Sequence, residues 1–220
     1  MLKISDYKTI IFDCDGVILD SNRIKTEAYY DTVVNDYGVA AAKKLLEYHQ
    51  RYGGISRFHK FEYFLKNIIK CSTIQDNELQ RLIENYGKTV LQKLFDCNFT
   101  DGFLEFFQAL PKSAVKIVVS GGLQTELISV FEHKNLQTWF AGIFGSPDNK
   151  IEILTREIKN NLIIFPALFL GDSEYDYISA VKNNIDFVFV TKYTEFKSWR
   201  EFFADKQDKI KIVQTLKELI

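Results

Sequence analysis

IIFDCDGVILDS, residues 10–21, decides how the rest of the chain is read. Ile10, Ile11 and Phe12 run straight into Asp13, Cys14 and Asp15, and Gly16 follows. The apolar run has the make-up of a buried strand, so two carboxylates stand at its carboxyl end. Residues two apart in extended chain point the same way. Asp13 and Asp15 therefore share one space, where their repulsion calls for a proton or a cation. Magnesium suits oxygen ligands of this kind, and a carboxylate can attack phosphorus as a nucleophile. Gly16 permits a tight turn after the pair. Taken alone, the stretch fits a solvated acidic turn equally well.

Working outward, short apolar runs recur at 8–12, 115–119, 167–170 and 187–190. Each is nearly unbroken by polar residues, as parallel strands covered on both faces are. Between the later runs, apolar residues fall three and four apart: Phe103, Phe106, Phe107, Leu110; then Leu123, Leu127, Val130, Phe131; then Ile151, Leu154, Ile158. One apolar stripe per helix follows. Strands alternating with helices predict an α/β fold with a parallel sheet and helices on both faces.

Residues 20–97 break that rhythm. Helical faces are formed by Leu45, Leu46, His49 and Tyr52, by Phe58, Phe61, Leu65 and Ile68, and by Leu79, Leu82, Ile83, Tyr86, Val90, Leu91 and Leu94. The expectation is an all-helical insert. The core then comprises residues 1–19 and 98–220. An insert after the first strand would stand over the carboxyl ends of the sheet, where open α/β sheets bind ligands. An insert that only adds stability is the plainer alternative.

Two further strand ends and one helix start carry polar groups. Ser120, Gly121 and Gly122 follow the 115–119 run and precede a helix, a hydroxyl and backbone N–H groups suited to an anion. GDSEYD follows the 167–170 run and sets Asp172 and Asp176 one helical turn apart, within reach of one ion; Asp172 and Ser173 also suit a helix cap. Lys150 opens the helix IEILTREI, unfavourably for the helix dipole, which makes sense beside a bound anion. An ordinary surface lysine would look the same.

Composition limits the partners. Twenty-eight basic against 29 acidic residues give a net charge of −1, which leaves no electrostatic footprint for nucleic acid or an anionic membrane. The longest apolar run, Leu162–Leu170, is interrupted by Pro166 and is far short of the roughly 18 residues a spanning helix needs. The polar start MLKISDYK reads as no signal peptide. Cys14, Cys71 and Cys97 lack metal spacing and read as free thiols of a reducing, cytoplasmic protein. Cys14 is expected to be a small buried filler.

FDCDGVILDS at 12–21, VVSGG at 118–122, Lys150 and GDSEYD at 171–176 together resemble, in order, the motifs of the haloacid dehalogenase (HAD) superfamily. The resemblance covers the whole chain. The helical stretch is similar to the cap of the branch containing phosphoglycolate phosphatase and β-phosphoglucomutase. It implies a Rossmann-like core and a Mg²⁺-dependent phosphatase acting on a small phosphorylated metabolite, as monomer or homodimer. It further implies Asp13 as nucleophile, Asp15 as general acid and then base, Ser120 on the transferring phosphoryl group and Lys150 neutralising its charge. Gly121 would add a backbone donor. Asp13, Asp15, Asp172 and Asp176 would serve the metal. Many relatives place a proline directly after the lysine, whereas Ile151 stands here.

RYGGISRFHKF at 51–61 sets Arg51, Arg57, His59 and Lys60 around the helix break at Gly53 and Gly54. By resemblance to cap loops of the family, Arg57 contacts the leaving group and Gly54 allows close approach; Arg51 and Lys60 are secondary, and His59 belongs to the surface or to cap packing. A solvated basic turn is the alternative. The leading reading is hydrolysis of a sugar phosphate or a phosphorylated small acid. A sugar-phosphate mutase would use the same core. A phospho-accepting receiver has an acidic cluster, a hydroxyl and a lysine on a parallel sheet, but needs an exposed partner face rather than a helical insert. A dehalogenase lacks a second acidic residue like Asp15, and the full set of polar residues argues against a silent binding protein.

Overall fold

The computed structural model describes residues 3–206 and 210–220. Six parallel strands form one sheet: β1 (Thr9–Phe12), β2 (Val115–Leu123), β3 (Gly142–Ser146), β4 (Ala167–Gly171), β5 (Asp186–Val190) and β6 (Lys211–Val213), in the order β3-β2-β1-β4-β5-β6. The strand order reverses between β1 and β4, so a crevice opens at their carboxyl ends. Asp13 follows β1 there, and its N–H donates to the Leu170 carbonyl of β4 (2.9 Å).

Alternation along the strands builds two cores. Ile10, Phe12, Val118, Leu168 and Leu170 face one side. Ile11, Ile117, Val119, Phe169 and Phe189 face the other. The second face is closed by α6 (Lys150–Lys159), α7 (Glu174–Lys182) and α8 (Trp199–Phe202). The first carries α4 (Phe103–Ala109) and α5 (Gln124–His133), with Phe103, Phe106, Phe107 and Phe140 packed about the Phe12 ring at 5.8–6.2 Å between centroids.

Residues 20–97 contain no strand. They form α1 (Asn22–Arg51), α2 (Arg57–Tyr63), a π-helical turn (Phe64–Ile68) and α3 (Asp76–Asp96). The α3 stripe buries Leu82, Ile83, Tyr86, Val90 and Leu94 as its spacing predicts. α1 is longer than the apolar face at 45–52 indicates: it begins at Asn22 and is broken at Gly38, whose φ of 77° is open to glycine. The hydrophobic core of these helices is continuous with the first face of the sheet.

Two strands escaped the sequence reading. β3 (GIFGS) is an edge strand with two glycines, and β6 has three residues at the opposite edge; neither makes the unbroken apolar run of a central strand. The Ser120-Gly121-Gly122 segment also differs from expectation. It lies inside β2 and not at a helix start, with a register shift against β3 between Val119 and Leu123. Among the described residues no helix is long and apolar enough to cross a membrane.

Candidate active site

Asp13 is 3% exposed and held from two directions. Its Oδ1 accepts from the Cys14 N–H (2.7 Å) and lies 2.8 Å from Lys150 Nζ. Burial, opposed by Lys150 and reinforced by Asp176 and Asp15, pushes its pKa up to about 7. Cys14 is the small buried filler expected, and burial raises its thiol further from ionisation.

Asp172 and Asp176 arrive from the β4–α7 junction. Ser173 caps α7 through a reciprocal box with Asp176, so the helix start fixes the Asp176 carboxylate. Asp176 Oδ2 accepts from the N–H groups of Asp172 and Ser173 and from the Ser173 hydroxyl, while Oδ1 accepts from Lys150 (2.5 Å). Asp172 Oδ2 accepts from the Asn22 amide (2.6 Å). Burial first, then the charges of Asp13 and Asp176, drive the Asp172 pKa well up.

Oxygens of Asp13, Asp172 and Asp176 all lie within 4.8 Å of one another, and all three residues are buried. Two of the carboxyl groups are driven toward protonation and only one lysine serves the cluster. A hard divalent cation fits this donor set, because it would neutralise the repulsion that burial amplifies.

Asp15 is not part of this cluster. The sequence reading made it a metal carboxylate, but its side chain turns to α1, where the Ser21 hydroxyl (2.6 Å) and Lys25 Nζ (2.5 Å) donate to it. Burial opposes its charge, yet Lys25 and Ser21 outweigh burial and lower its pKa. Gly16 (φ 75°) makes the tight turn directly after Asp15, and a Cβ there would meet Asp172 Oδ2 at 2.3 Å.

Lys150 is 1% exposed and bridges Asp13 and Asp176. Burial works against its charge, but the two carboxylates prevail and raise its pKa. Its unfavourable place at the first position of α6 is offset by a capping box between Asn149 and Glu152. Ser120 is fully buried on β2, its Oγ accepting from the Gly122 N–H (3.0 Å).

The loop between α1 and α2 comes down onto this site. A Cβ on Gly121 would meet the Gly54 carbonyl oxygen at 2.3 Å, and one on Gly54 would meet Ser173 Oγ at 2.8 Å. Gly54 has φ 77°, so both the approach and the conformation require glycine. Arg57 lines the cleft but is already engaged: its guanidinium forms a two-pronged ion pair with Glu126 of α5 and lies 4.5 Å over the Tyr86 ring. The guanidinium expected to meet a leaving group thus also ties α2 to α5. His59 is exposed and bonds Ser56, and Arg51 is exposed. Lys60 is buried and lines the cleft.

Asn22 and Lys25 were missed by the sequence reading. Their signal was available: with Tyr29 they fall at i, i+3 and i+7 of one helix face, and two of those three positions are polar. The cleft they share with Asp13, Asp172 and Arg57 has a volume of about 60 Å³.

The sequence profile of the haloacid dehalogenase-like hydrolase family matches residues 10–190. No curated protein matches the chain by sequence. Among solved structures, a β-phosphoglucomutase from Clostridium difficile is similar at TM-score 0.75 and 19% identity, over 97% of this chain and 93% of that one. A predicted phosphatase from Clostridium acetobutylicum is similar at 0.74 and 23%, over 97% and 96%. A protein provisionally assigned as a phosphoglycolate phosphatase, from Lactobacillus plantarum, is similar at 0.71 and 20%, over 97% of both chains. At these identities the likeness is one of fold.

Proposed function

Because the chain belongs to the haloacid dehalogenase-like hydrolases, we propose that it hydrolyses a small phosphomonoester through a phosphoryl group carried on Asp13. The observation that carries this reading is the meeting of Asp13, Asp172, Asp176 and Lys150 within one buried crevice at the carboxyl ends of β1 and β4.

In the first step an Asp13 oxygen attacks phosphorus in line and the bond to the leaving oxygen breaks; that oxygen takes a proton from the Asp15–Lys25 pair. In the second, water attacks the phosphorus, Asp15 takes the water's proton, and the bond to Asp13 breaks. Phosphoryl transfer depends mainly on positioning and charge neutralisation. Lys150 neutralises, the Cys14 N–H and Lys150 orient Asp13, and Lys25 holds Asp15 in place for proton exchange. Ser120 and the Gly121 backbone stand on the neighbouring strand to receive the phosphoryl oxygens. Mg²⁺, held by Asp13, Asp172 and Asp176, would supply electrostatic stabilisation of the phosphoryl oxygens.

In this reading residues 20–97 are a cap over a core of 1–19 and 98–220, and the substrate is a sugar phosphate or phosphorylated small acid. The free thiols Cys14, Cys71 and Cys97 support a cytoplasmic setting. A mutase would use the same residues, and the two differ only in whether water or a sugar hydroxyl takes the phosphoryl group from Asp13. Screening phosphorylated metabolites with and without Mg²⁺, reading both free phosphate and isomerised ester, tests the proposal. Absence of either product across the screen would reject it.

A further inference from the structure

Three cationic side chains of the helical segment line the cleft, and two are neutralised by carboxylates. Lys25 bonds Asp15, and Arg57 pairs with Glu126. The third, Lys60 of α2, is 2% exposed and has no carboxylate within ion-pairing distance among the described residues. Its Nζ lies 2.7 Å from His49 Nδ1 and 5.4 Å from the centre of the Tyr29 ring.

These contacts are short of what a buried ammonium needs. An ammonium has three protons to donate and accepts none. His49 Nδ1 therefore acts as acceptor, and the ring proton sits on Nε2, which faces Glu195 at 3.8 Å. Burial, then Lys60 and Lys25, keep the imidazole neutral. Lys60 is thus a buried charge whose direct contacts are a neutral acceptor and an aromatic face, while the carboxylates of Asp15 and Glu195 act on it only from beyond ion-pairing distance. An uncompensated buried charge costs several kcal/mol; methionine would fill the same space without that cost. Burial, with Lys25 adding to it, draws the Lys60 pKa down to about 7, so a bound anion would complete its environment.

We propose that Lys60, oriented by His49, is a second anion subsite that binds a negatively charged group, carboxylate or phosphate, on the leaving part of the substrate. This rests on the phosphatase reading, which places the transferring phosphoryl group at Asp13. The cleft then has two charge-reading ends: the carboxylate cluster with Lys150 at the sheet, and Lys60 on the helical segment.

The test uses phosphomonoesters of one carbon skeleton carrying a distal carboxylate, a distal phosphate or a distal carboxamide. Wild type is expected to favour at least one anionic ester over the carboxamide by tenfold or more in kcat/KM, and the better of the two identifies the group read. Lys60→Met should lower kcat/KM on that ester at least tenfold more than on the carboxamide, chiefly through KM. Lys60→Gln should do the same, and Lys60→Arg should restore part of the preference. A preference unchanged in both uncharged variants, or equal loss on all three esters, overturns the subsite. Calorimetric titration of the same esters reads it without turnover. Lys60-dependent binding with no hydrolysis would keep the subsite and end the phosphatase reading; hydrolysis of all three alike would do the reverse.

Discussion

As the proposed nucleophile Asp13 would have to be ionised, yet it is buried, and burial pushes its pKa up to about 7. Lys150 beside it opposes this shift, and a cation held among Asp13, Asp172 and Asp176 would oppose it further. Asp13→Asn should lower turnover by roughly 10³-fold or more, while thermal unfolding stays at or above the wild-type temperature, because a repelling buried charge has gone. Near wild-type turnover by this variant would remove Asp13 as nucleophile. Lys60 gives a pH prediction with a definite sign. Its folded pKa of about 7 is below the unfolded value of ~10.4. Between those values the unfolded chain binds more protons than the folded one, so this group makes stability rise with pH from about 7 to about 10. Below the folded pKa its burden is full. The difference in melting temperature between Lys60→Met and wild type should therefore be largest at pH 6 and shrink toward pH 10; a constant difference would contradict the assignment.

Among elements, α2 and α5 are tied by Arg57 and Glu126, whose side chains are 3% and 14% exposed. Burial disfavours the Arg57 charge, and Glu126 restores it. Removing one partner of such a pair leaves the other uncompensated. Arg57→Ala should cost about 3 kcal/mol in denaturant unfolding, whereas Arg57→Met with Glu126→Leu should recover most of that loss. Additive single and double effects would show that the pair carries no coupling. The same geometry predicts that Arg57→Ala impairs activity on artificial and natural phosphoesters together, since it loosens the seat of the 52–56 loop on Gly121. The α1 break at Gly38 shows how an element can hide from its stripe: the helical face at 45–52 was visible, whereas the polar first turn with Asn22 and Lys25 serves the site and so carries no apolar signal.

For the whole molecule, a metal held by the three-carboxylate cluster would couple to stability. Mg²⁺ at about 100 times its dissociation constant should add ~2.7 kcal/mol, or about 5–10 °C in melting temperature for a chain of this size. Chelator should reverse the shift, and Asp172→Asn should reduce it; a melting temperature indifferent to Mg²⁺ would exclude the cluster as its site. Sequence alone determined the parallel α/β core, since Ile10–Phe12, Ile117–Val119 and Leu168–Leu170 are apolar on both faces, as central parallel strands are. It also indicated the strandless segment at 20–97, while the grouping of Asp13, Lys150, Asp172 and Asp176 followed from the resemblance in motif order, since each residue taken alone had a plainer reading. What only the tertiary structure decided is how the charges divide. Asp15 turns to Lys25, Arg57 to Glu126, and Lys60 is left to His49. Pairing depends on which side chains from distant segments meet in one buried volume, and no local period in the chain records that.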